Sequence, residues 1–394
     1  MNTKVKNWFG RYSVILIWIV IISIIAYKIV QKHMMIDGTD YLFHAVNAID
    51  ILQNGFVGIF RNTSYPIWGL GVKFFERIMH FRLFDAAAWT TVIFYVLNYF
   101  FVVYVLQKKM MTEYSCGFCA SVAGVLMLVQ PISWSAMKLE IISGRALINT
   151  WHNPTNIVAR GMGIVSIYLL FMIVDYWENK KQYPVGLYIA FGISLIVTNL
   201  GKPSFSQMFV PAIAIYFVGY CIYNKFSDFF FCLFLALAVV PSLIVMGLQA
   251  IFAFDEANGG IEIAWFDVMS NAYSNIPLML ISMLAFPLSV LILYWKECCK
   301  DKKIHIAVMM LIVSFIEYAA LAEIGFRRYH ENFSWGFNLS VFYVWMFMLG
   351  KFWNVNKNNK VNLKMLWCGS LLVLHMVCGV SYLWCQLGNS YFWV

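Results

Sequence analysis

The chain has 394 residues, of which 62% are hydrophobic and only 12% are charged. A soluble domain of this size needs more charge to cover its surface, whereas a lipid bilayer tolerates an apolar exterior. The formal net charge is +9. Because the basic residues lie largely in short loops, membrane orientation explains this excess better than nucleic-acid binding does.

Eleven apolar stretches approach the roughly 20 residues that a helix needs to cross about 30 Å of hydrocarbon. The first, residues 13–26, follows Lys4, Lys6 and Arg11 and has no small-x-small cleavage site, which indicates a retained signal anchor with a cytoplasmic N-terminus. The others lie near residues 85–107, 115–134, 156–177, 184–200, 207–224, 229–253, 275–295, 305–323, 335–353 and 365–385. The sequence therefore predicts an all-α polytopic integral membrane protein with about eleven transmembrane helices, in which residues 1–394 form a single transmembrane domain.

Alternation of these spans places the lysine clusters of the loops on one side of the membrane. The clusters are Lys108 and Lys109; Lys180 and Lys181; Lys225; Lys296, Lys300, Lys302 and Lys303; and Lys357, Lys360 and Lys364. A wrong number of spans would scatter them, so the positive-inside rule predicts that these loops are cytoplasmic. We therefore expect a multi-pass protein of the cell membrane whose active site lies at the outer face of that membrane.

The first outer loop, residues 32–84, is predicted to contain two juxtamembrane helices. One begins near Asp40, which precedes an apolar-periodic run and is a candidate N-cap. The other follows Pro66 and includes two basic residues and one acid. Because charged side chains are costly at the bilayer centre, the segment from 65 to 80 is predicted to lie in the interface and not to cross.

The outer face of this topology collects an unusual set of polar residues, and the basic residues among them run against the positive-inside bias. These polar residues are Asp37, Asp40 and His44 after the first span, Arg145, His152 and Lys202 in the middle of the chain, and Arg327, Arg328 and His330 after the ninth span. Arginine and lysine neutralise phosphate oxygens, and a carboxylate can accept a proton from an incoming hydroxyl. The set indicates a group-transfer site whose leaving group is a lipid phosphate.

Structural roles are alternatives for several of these residues. Asp40 could only cap its helix, His44 could orient that helix, and Arg327 with Arg328 could anchor lipid headgroups. Arg160 and Lys202, which are close to span ends, could snorkel towards the surface. The acids could bind a divalent cation, although their spacing specifies none, and the sequence has no P-loop, HExxH or GxSxG motif.

Two segments resemble the GT-C superfamily of polytopic glycosyltransferases. The first is Asp37-Gly38-Thr39-Asp40-Tyr41-Leu42-Phe43-His44 with Gly55 at the end of the following helix, and the second is Tyr65-Pro66-Ile67-Trp68. Families of this type place an essential acid at the start of the first outer loop. In some related proteins the pattern is Asp, three residues, then His, which matches Asp40 and His44, and in others it is Asp-x-Thr-x-Tyr, which matches Asp37.

The resemblance implies transfer of a sugar, with inversion, from a polyprenyl-phosphate-linked donor to a cell-surface glycan or lipid acceptor. Asp40 or Asp37 would be the base, and Asp40 would line one cavity with Arg327 or Arg328. The residues expected to bind substrate are His44, Arg145, His152, Lys202, Arg327, Arg328 and His330. The partners would be the donor, the acceptor and membrane lipids, with no nucleic acid.

Two other functions fit the same topology. A polysaccharide polymerase or ligase also uses polyprenyl carriers, but its usual mark is one long outer loop late in the chain. A flippase or transporter would carry ionisable residues spread through its spans and broken helices at mid-membrane. The concentration of charge at one face favours the glycosyltransferase.

Overall fold

The computed structural model describes residues 3–52, 65–133, 147–180, 183–253 and 259–388, which form fifteen α-helices and two short strands. In chain order, the first eight helices are α1 (Thr3–His33), α2 (Asp40–Ile49), α3 (Pro66–Ile78), α4 (Leu83–Val105), α5 (Cys116–Leu128), α6 (Pro154–Lys180), α7 (Val185–Gly201) and α8 (Ser204–Tyr223). There follow α9 (Phe229–Ala253), β1 (Ile261–Ile263), α10 (Asp267–Ala272), α11 (Ile276–Leu293), α12 (Trp295–Cys298), α13 (Lys302–Ala320), β2 (Leu321–Glu323), α14 (Ser334–Asn356) and α15 (Leu363–Leu387).

The helical, polytopic architecture agrees with the sequence prediction. The number of helices long and apolar enough to span a membrane is smaller than the predicted number of spans. Among the described residues, α1, α4, α6, α8, α9, α11, α13 and α15 contain eight segments long and apolar enough to cross a membrane. Two further predicted spans correspond to α5 and α7, which are apolar but only 13 and 17 residues long. The remaining one corresponds to α14, so length and composition support eight of the eleven predicted spans, and the exact number stays a prediction.

Helix α14 is the central element of the bundle. Its residues from Gly336 to Phe352 are buried at every position, so the helix is covered on all sides by its neighbours. The Trp345 indole donates to the Met283 carbonyl of α11 (2.9 Å), and the Tyr343 hydroxyl donates to the Arg160 carbonyl of α6 (2.9 Å). These bonds tie helices that are distant in sequence to one core.

The expectation that the Arg160 side chain snorkels towards the surface is wrong. Its side chain is only 2% exposed, because α6 is packed between α4, α7 and α14. One guanidinium nitrogen donates to Asn149 Oδ1 (3.0 Å), and the guanidinium carbon lies 4.6 Å from the centroid of the Phe342 ring. Arg160 therefore packs in the interior of the bundle and does not reach its surface.

The lysine-rich end of the bundle is where Lys108, Lys109, Lys300, Lys302, Lys303, Lys351 and Lys357 lie. Ion pairs join the ends of different helices there: Lys109 pairs with Asp175, Lys302 with Glu178, and Lys351 with Asp301 (3.0 Å). Clusters that the alternating topology assigns to one side thus meet at one end. The opposite end, called the site end below, holds α2, α3, the start of α6 and the two strands.

Helices α2 and α3 are the two predicted helices of the first outer loop. With 13 residues, α3 is about 20 Å long and falls short of the hydrocarbon thickness. It packs on α2, where a Cβ at Gly69 would lie 3.3 Å from Ala48 Cβ, and on α4, where the Trp68 indole donates to Thr91 Oγ1 (3.0 Å). The expectation that Gly55 ends the first of these helices is wrong, because α2 ends at Ile49, and Gly55 itself lies outside the described residues.

The sequence did not predict the small antiparallel sheet at the site end. Ile261 pairs with Glu323 and Ile263 with Leu321, so β1 and β2 hold the segment after α13 against the segment after α9. This pairing fixes the position of the turn that carries the two arginines of the loop.

Candidate functional site

Asp40 is the first residue of α2, and Thr39 is the N-cap in its place. The Thr39 hydroxyl accepts from the backbone N–H of Leu42 (3.4 Å) and donates to the His33 carbonyl (2.7 Å). Gly38, with φ +79°, turns the chain between α1 and α2. The expectation that Asp40 caps the helix is therefore wrong, because the cap is the preceding residue, Thr39. The carboxylate of Asp40 is free to make other contacts.

Asn153 connects Asp40 to Lys202. The Asn153 side-chain oxygen accepts from the Asn156 backbone N–H (2.8 Å) at the start of α6, which leaves its NH2 group to donate to Asp40 Oδ2 (2.7 Å). Lys202 Nζ lies 3.5 Å from the same Asn153 oxygen. Within the described chain, the second oxygen of Asp40 accepts no hydrogen bond and is called the open oxygen below.

Lys202 is a buried ammonium group in an aromatic enclosure. It follows α7, where its backbone N–H donates to Thr198 O (2.8 Å), and it is 5% exposed. Its Nζ lies 4.0 Å from the Trp335 ring centroid and 5.8 Å from that of Tyr65. Burial lowers the pKa of Lys202 to about 7, against the opposing influence of Asp40.

Two histidines surround this group. The His44 ring lies 6.5 Å from the Tyr65 ring, and the His152 ring lies 5.7 Å from that of Trp335. Burial lowers the pKa of each to about 4, although Asp40 acts in the opposite direction on both. Both histidines are consequently neutral at pH 7, where they can donate or accept hydrogen bonds but add no positive charge.

A cavity of about 290 Å³ opens beside Lys202. Polar side chains line one part of it, namely Tyr65, Lys202, Gln207, Gln249, Glu323, Arg327 and Asn332. Leu243, Met246 and Ala250 of α9 line another part, and Leu243 is also 39% exposed on the outside of the bundle. The cavity thus joins a polar wall to an apolar surface, and its volume is at the lower end of the range for small-molecule sites.

Arg327 lies in the wall of the cavity with a carboxylate partner. Its Nε lies 3.0 Å from Glu323 Oε2, and the Asn332 side chain donates to the same oxygen (2.6 Å). Glu323 is 6% exposed, so this pair is largely shielded from solvent. The wall includes Lys202 and Arg327 but neither Asp40 nor Arg328, so the expectation that Asp40 lines one cavity with Arg327 or Arg328 is not met by Asp40.

The remaining predicted residues lie elsewhere. Asp37 and His330 are exposed, and His330 contacts the Phe326 ring at 5.8 Å. Arg328 pairs with Glu262 and with Asp267 (2.7 Å), so its charge is already balanced. Arg145 lies outside the described residues, and the described part of the chain contains no group of three metal-ligating side chains.

Asn153 and Trp335 are the residues of the site that sequence reasoning missed as contributors. Asn153-Pro154 at the start of an apolar run is a helix-start signal, but it predicts a cap and does not predict a contact with Asp40. Nothing in the sequence distinguishes Trp335 from the many other aromatic residues near span ends.

Comparisons of the chain with family models, with curated proteins and with solved structures found no match. The functional argument therefore rests on the geometry of the site.

Proposed function

We propose that this protein is a GT-C-like membrane glycosyltransferase that uses a polyprenyl-phosphate-linked sugar as its donor. The observation that carries the proposal is the bridge formed by Asn153. Its amide nitrogen donates to the carboxylate of Asp40, which has one open oxygen, and its amide oxygen lies next to the ammonium group of the buried Lys202. A base and a cation at adjacent positions are what displacement of an anionic leaving group by a hydroxyl requires.

In the proposed reaction the open oxygen of Asp40 takes the proton of an acceptor hydroxyl. The acceptor oxygen forms a bond to the anomeric carbon while the bond from that carbon to the phosphate oxygen breaks, and the phosphate leaves with the bonding electrons. Lys202 and Arg327 lie in the same cavity wall and would neutralise the charge that develops on the phosphate. Neutral His44 and His152 would orient hydroxyls of the substrates.

The apolar part of the cavity supports a lipid-linked donor. Leu243 and Ile261 line the cavity and are also exposed on the surface of the bundle, where α9 shows many apolar side chains. A polyprenyl chain could therefore remain in the lipid while its phosphate reaches Lys202. A soluble nucleotide-sugar donor would not need this apolar wall.

Replacement of the base is the direct test. Asp40→Asn keeps an oxygen that can accept from Asn153 but removes basicity, so sugar transfer should fall at least about a hundredfold while donor binding is kept. Release of polyprenyl phosphate from a panel of short-chain polyprenyl-phosphate hexoses would be measured with protein in liposomes. Asp37→Asn is the matched control, since Asp37 is exposed and outside the bridge. Loss of transfer in Asp37→Asn, with Asp40→Asn active, would move the base to Asp37.

A further inference from the structure

The lysine-rich end contains a second cavity, of about 500 Å³, that plays no part in the proposed transfer reaction. It lies between the ends of α6, α8, α13 and α14. Six of its lining residues are lysines: Lys108, Lys109, Lys300, Lys302, Lys303 and Lys351. The floor is apolar and includes Phe171, Phe217 and Ile306.

The charges of this cavity are not balanced. Three carboxylates face the six lysines, and each is engaged: Asp175 by Lys109, Glu178 by Lys302, and Asp301 by Lys303 (3.4 Å) and Lys351 (3.0 Å). Burial would raise the pKa of Asp301, but Lys303 and Lys351 hold it below its ordinary value, so it stays a carboxylate. Lys108 and Lys300 have no ion-pair partner within the described chain. The cavity therefore has an excess of three positive charges.

The backbone also departs from regular geometry at this cavity. Residues Leu106–Met110, which continue α4, form a π-helical segment, and this segment carries Lys108 and Lys109. Such segments occur often at functional sites, since a wider turn redirects the side chains that follow. Lys351, only 8% exposed in α14, places a further ammonium group at the inner wall.

From the concave shape, the excess positive charge and the apolar floor, we propose that this cavity binds a phosphate group. Lysine ammonium groups suit phosphate oxygens as point charges, and basic pockets between transmembrane helices bind anionic headgroups. The apolar floor favours the phosphate of an anionic phospholipid over free phosphate, and the experiment distinguishes these two sources.

The test uses the full-length protein purified in detergent, with binding followed by native mass spectrometry and by the shift in unfolding temperature. The probes are dihexanoyl phosphatidylglycerol, inorganic phosphate and dihexanoyl phosphatidylcholine. We expect phosphatidylglycerol to bind more tightly than phosphatidylcholine. Loss of both unpaired lysines in Lys108→Gln/Lys300→Gln should weaken its binding about thirtyfold. Binding of phosphatidylglycerol without inorganic phosphate assigns the site to a lipid headgroup, and the reverse assigns it to a soluble anion.

A matched control separates a site from the general charge of this end. Lys296 and Lys360 are exposed and lie outside the cavity, so Lys296→Gln/Lys360→Gln removes the same charge and should leave binding unchanged. Equal weakening in the two double variants would overturn the proposal, as would binding that Lys108→Gln/Lys300→Gln does not alter. Because these residues are far from Asp40, the result is independent of the outcome for sugar transfer.

Discussion

At the scale of single residues, Lys202 is a cation whose environment differs sharply from water. Its ammonium group is enclosed by Trp335, Tyr65 and Asn153, and burial lowers its pKa to about 7. Lys202 therefore titrates close to neutral pH, well below its ordinary range. An anionic ligand stabilises the charged form, so donor binding should be linked to uptake of a proton.

This linkage predicts a pH dependence of donor binding. Below pH 7 Lys202 is charged and the KM for the polyprenyl-phosphate donor should be constant, whereas above pH 7 it should rise up to about tenfold per pH unit. Lys202→Met should show a high KM that no longer changes between pH 7 and 9. A KM of the wild type that is flat across this range would contradict a role for Lys202 in holding phosphate.

Unfolding would not explain such a loss of binding. Since the pKa of Lys202 is lower in the folded protein than its ordinary value of 10.5, the unfolded chain binds more protons between pH 7 and 10.5. The contribution of Lys202 to stability thus rises with pH across this window, in the direction opposite to donor binding. A thermal unfolding series over the same pH values gives the control.

The sequence identifies several of the site residues as candidates, but it does not predict how they are arranged in space. Asp40, His44, His152 and Lys202 all follow span ends on the predicted outer face, and the structure brings their side chains around one centre. Asn153 joins them only because α2, α6 and α7 meet there. That meeting is a tertiary contact between segments more than 40 positions apart, and no local pattern encodes it.

At the scale of elements, the short turn after β2 separates two adjacent arginines. Gly325, with φ +83°, begins a single 3₁₀ turn that ends at Arg327. Arg327 contacts Glu323 and lines the cavity, whereas Arg328 points to Glu262 in β1 and Asp267 in α10. The two neighbours are thus expected to differ in function although the sequence treats them alike.

Paired substitutions should separate the two roles. Arg327→Gln should raise the KM for donor about tenfold with a smaller change in kcat, because a charge-assisted contact to phosphate is lost. Arg328→Gln should leave the KM unchanged and reduce thermal stability, since it releases two carboxylates from an ion pair. Because Arg327→Gln also leaves Glu323 unbalanced, Glu323→Gln/Arg327→Gln serves as a charge-matched control. An equal rise of KM in Arg328→Gln would contradict this assignment.

Elements with a strong local signal were predicted, and those without one were missed. The apolar runs and the Pro66 start predicted α2, α3 and most long helices within a few residues. The cap of α2 was displaced by one residue, because Thr39 and Asp40 are both good capping residues and only the fold selects one. Strands β1 and β2 have three residues each, too few for an alternating pattern to be recognised.

At the scale of the whole molecule, hydropathy does not identify the central helix of the bundle. Helix α9 is among the most apolar spans and is largely exposed on the bundle surface, whereas α14 is buried almost throughout and is less apolar. A helix enclosed by protein can carry Ser340, Asn338 and Lys351 because neighbours satisfy them, as Ser314 does for Ser340 (2.6 Å). Hydropathy is therefore a poor guide to depth within the bundle.

The orientation of the two ends follows from the distribution of lysine and can be tested with a cysteine of the chain itself. Of the nine cysteines, Cys299 alone is exposed, and it lies at the lysine-rich end next to Lys300. If that end is cytoplasmic, a membrane-impermeant maleimide should label Cys299 only after the cells are permeabilised. Asp37→Cys, at the site end, should instead be labelled in intact cells. All of these proteins also carry Cys378→Ser and Cys385→Ser, which remove two partly exposed cysteines of α15. The variant Cys299→Ser gives the level of labelling that does not come from Cys299. Labelling of Cys299 in intact cells, with Asp37→Cys protected, would reverse the orientation and place Asp40 and Lys202 on the cytoplasmic side, where a donor carried on the outer leaflet could not reach them.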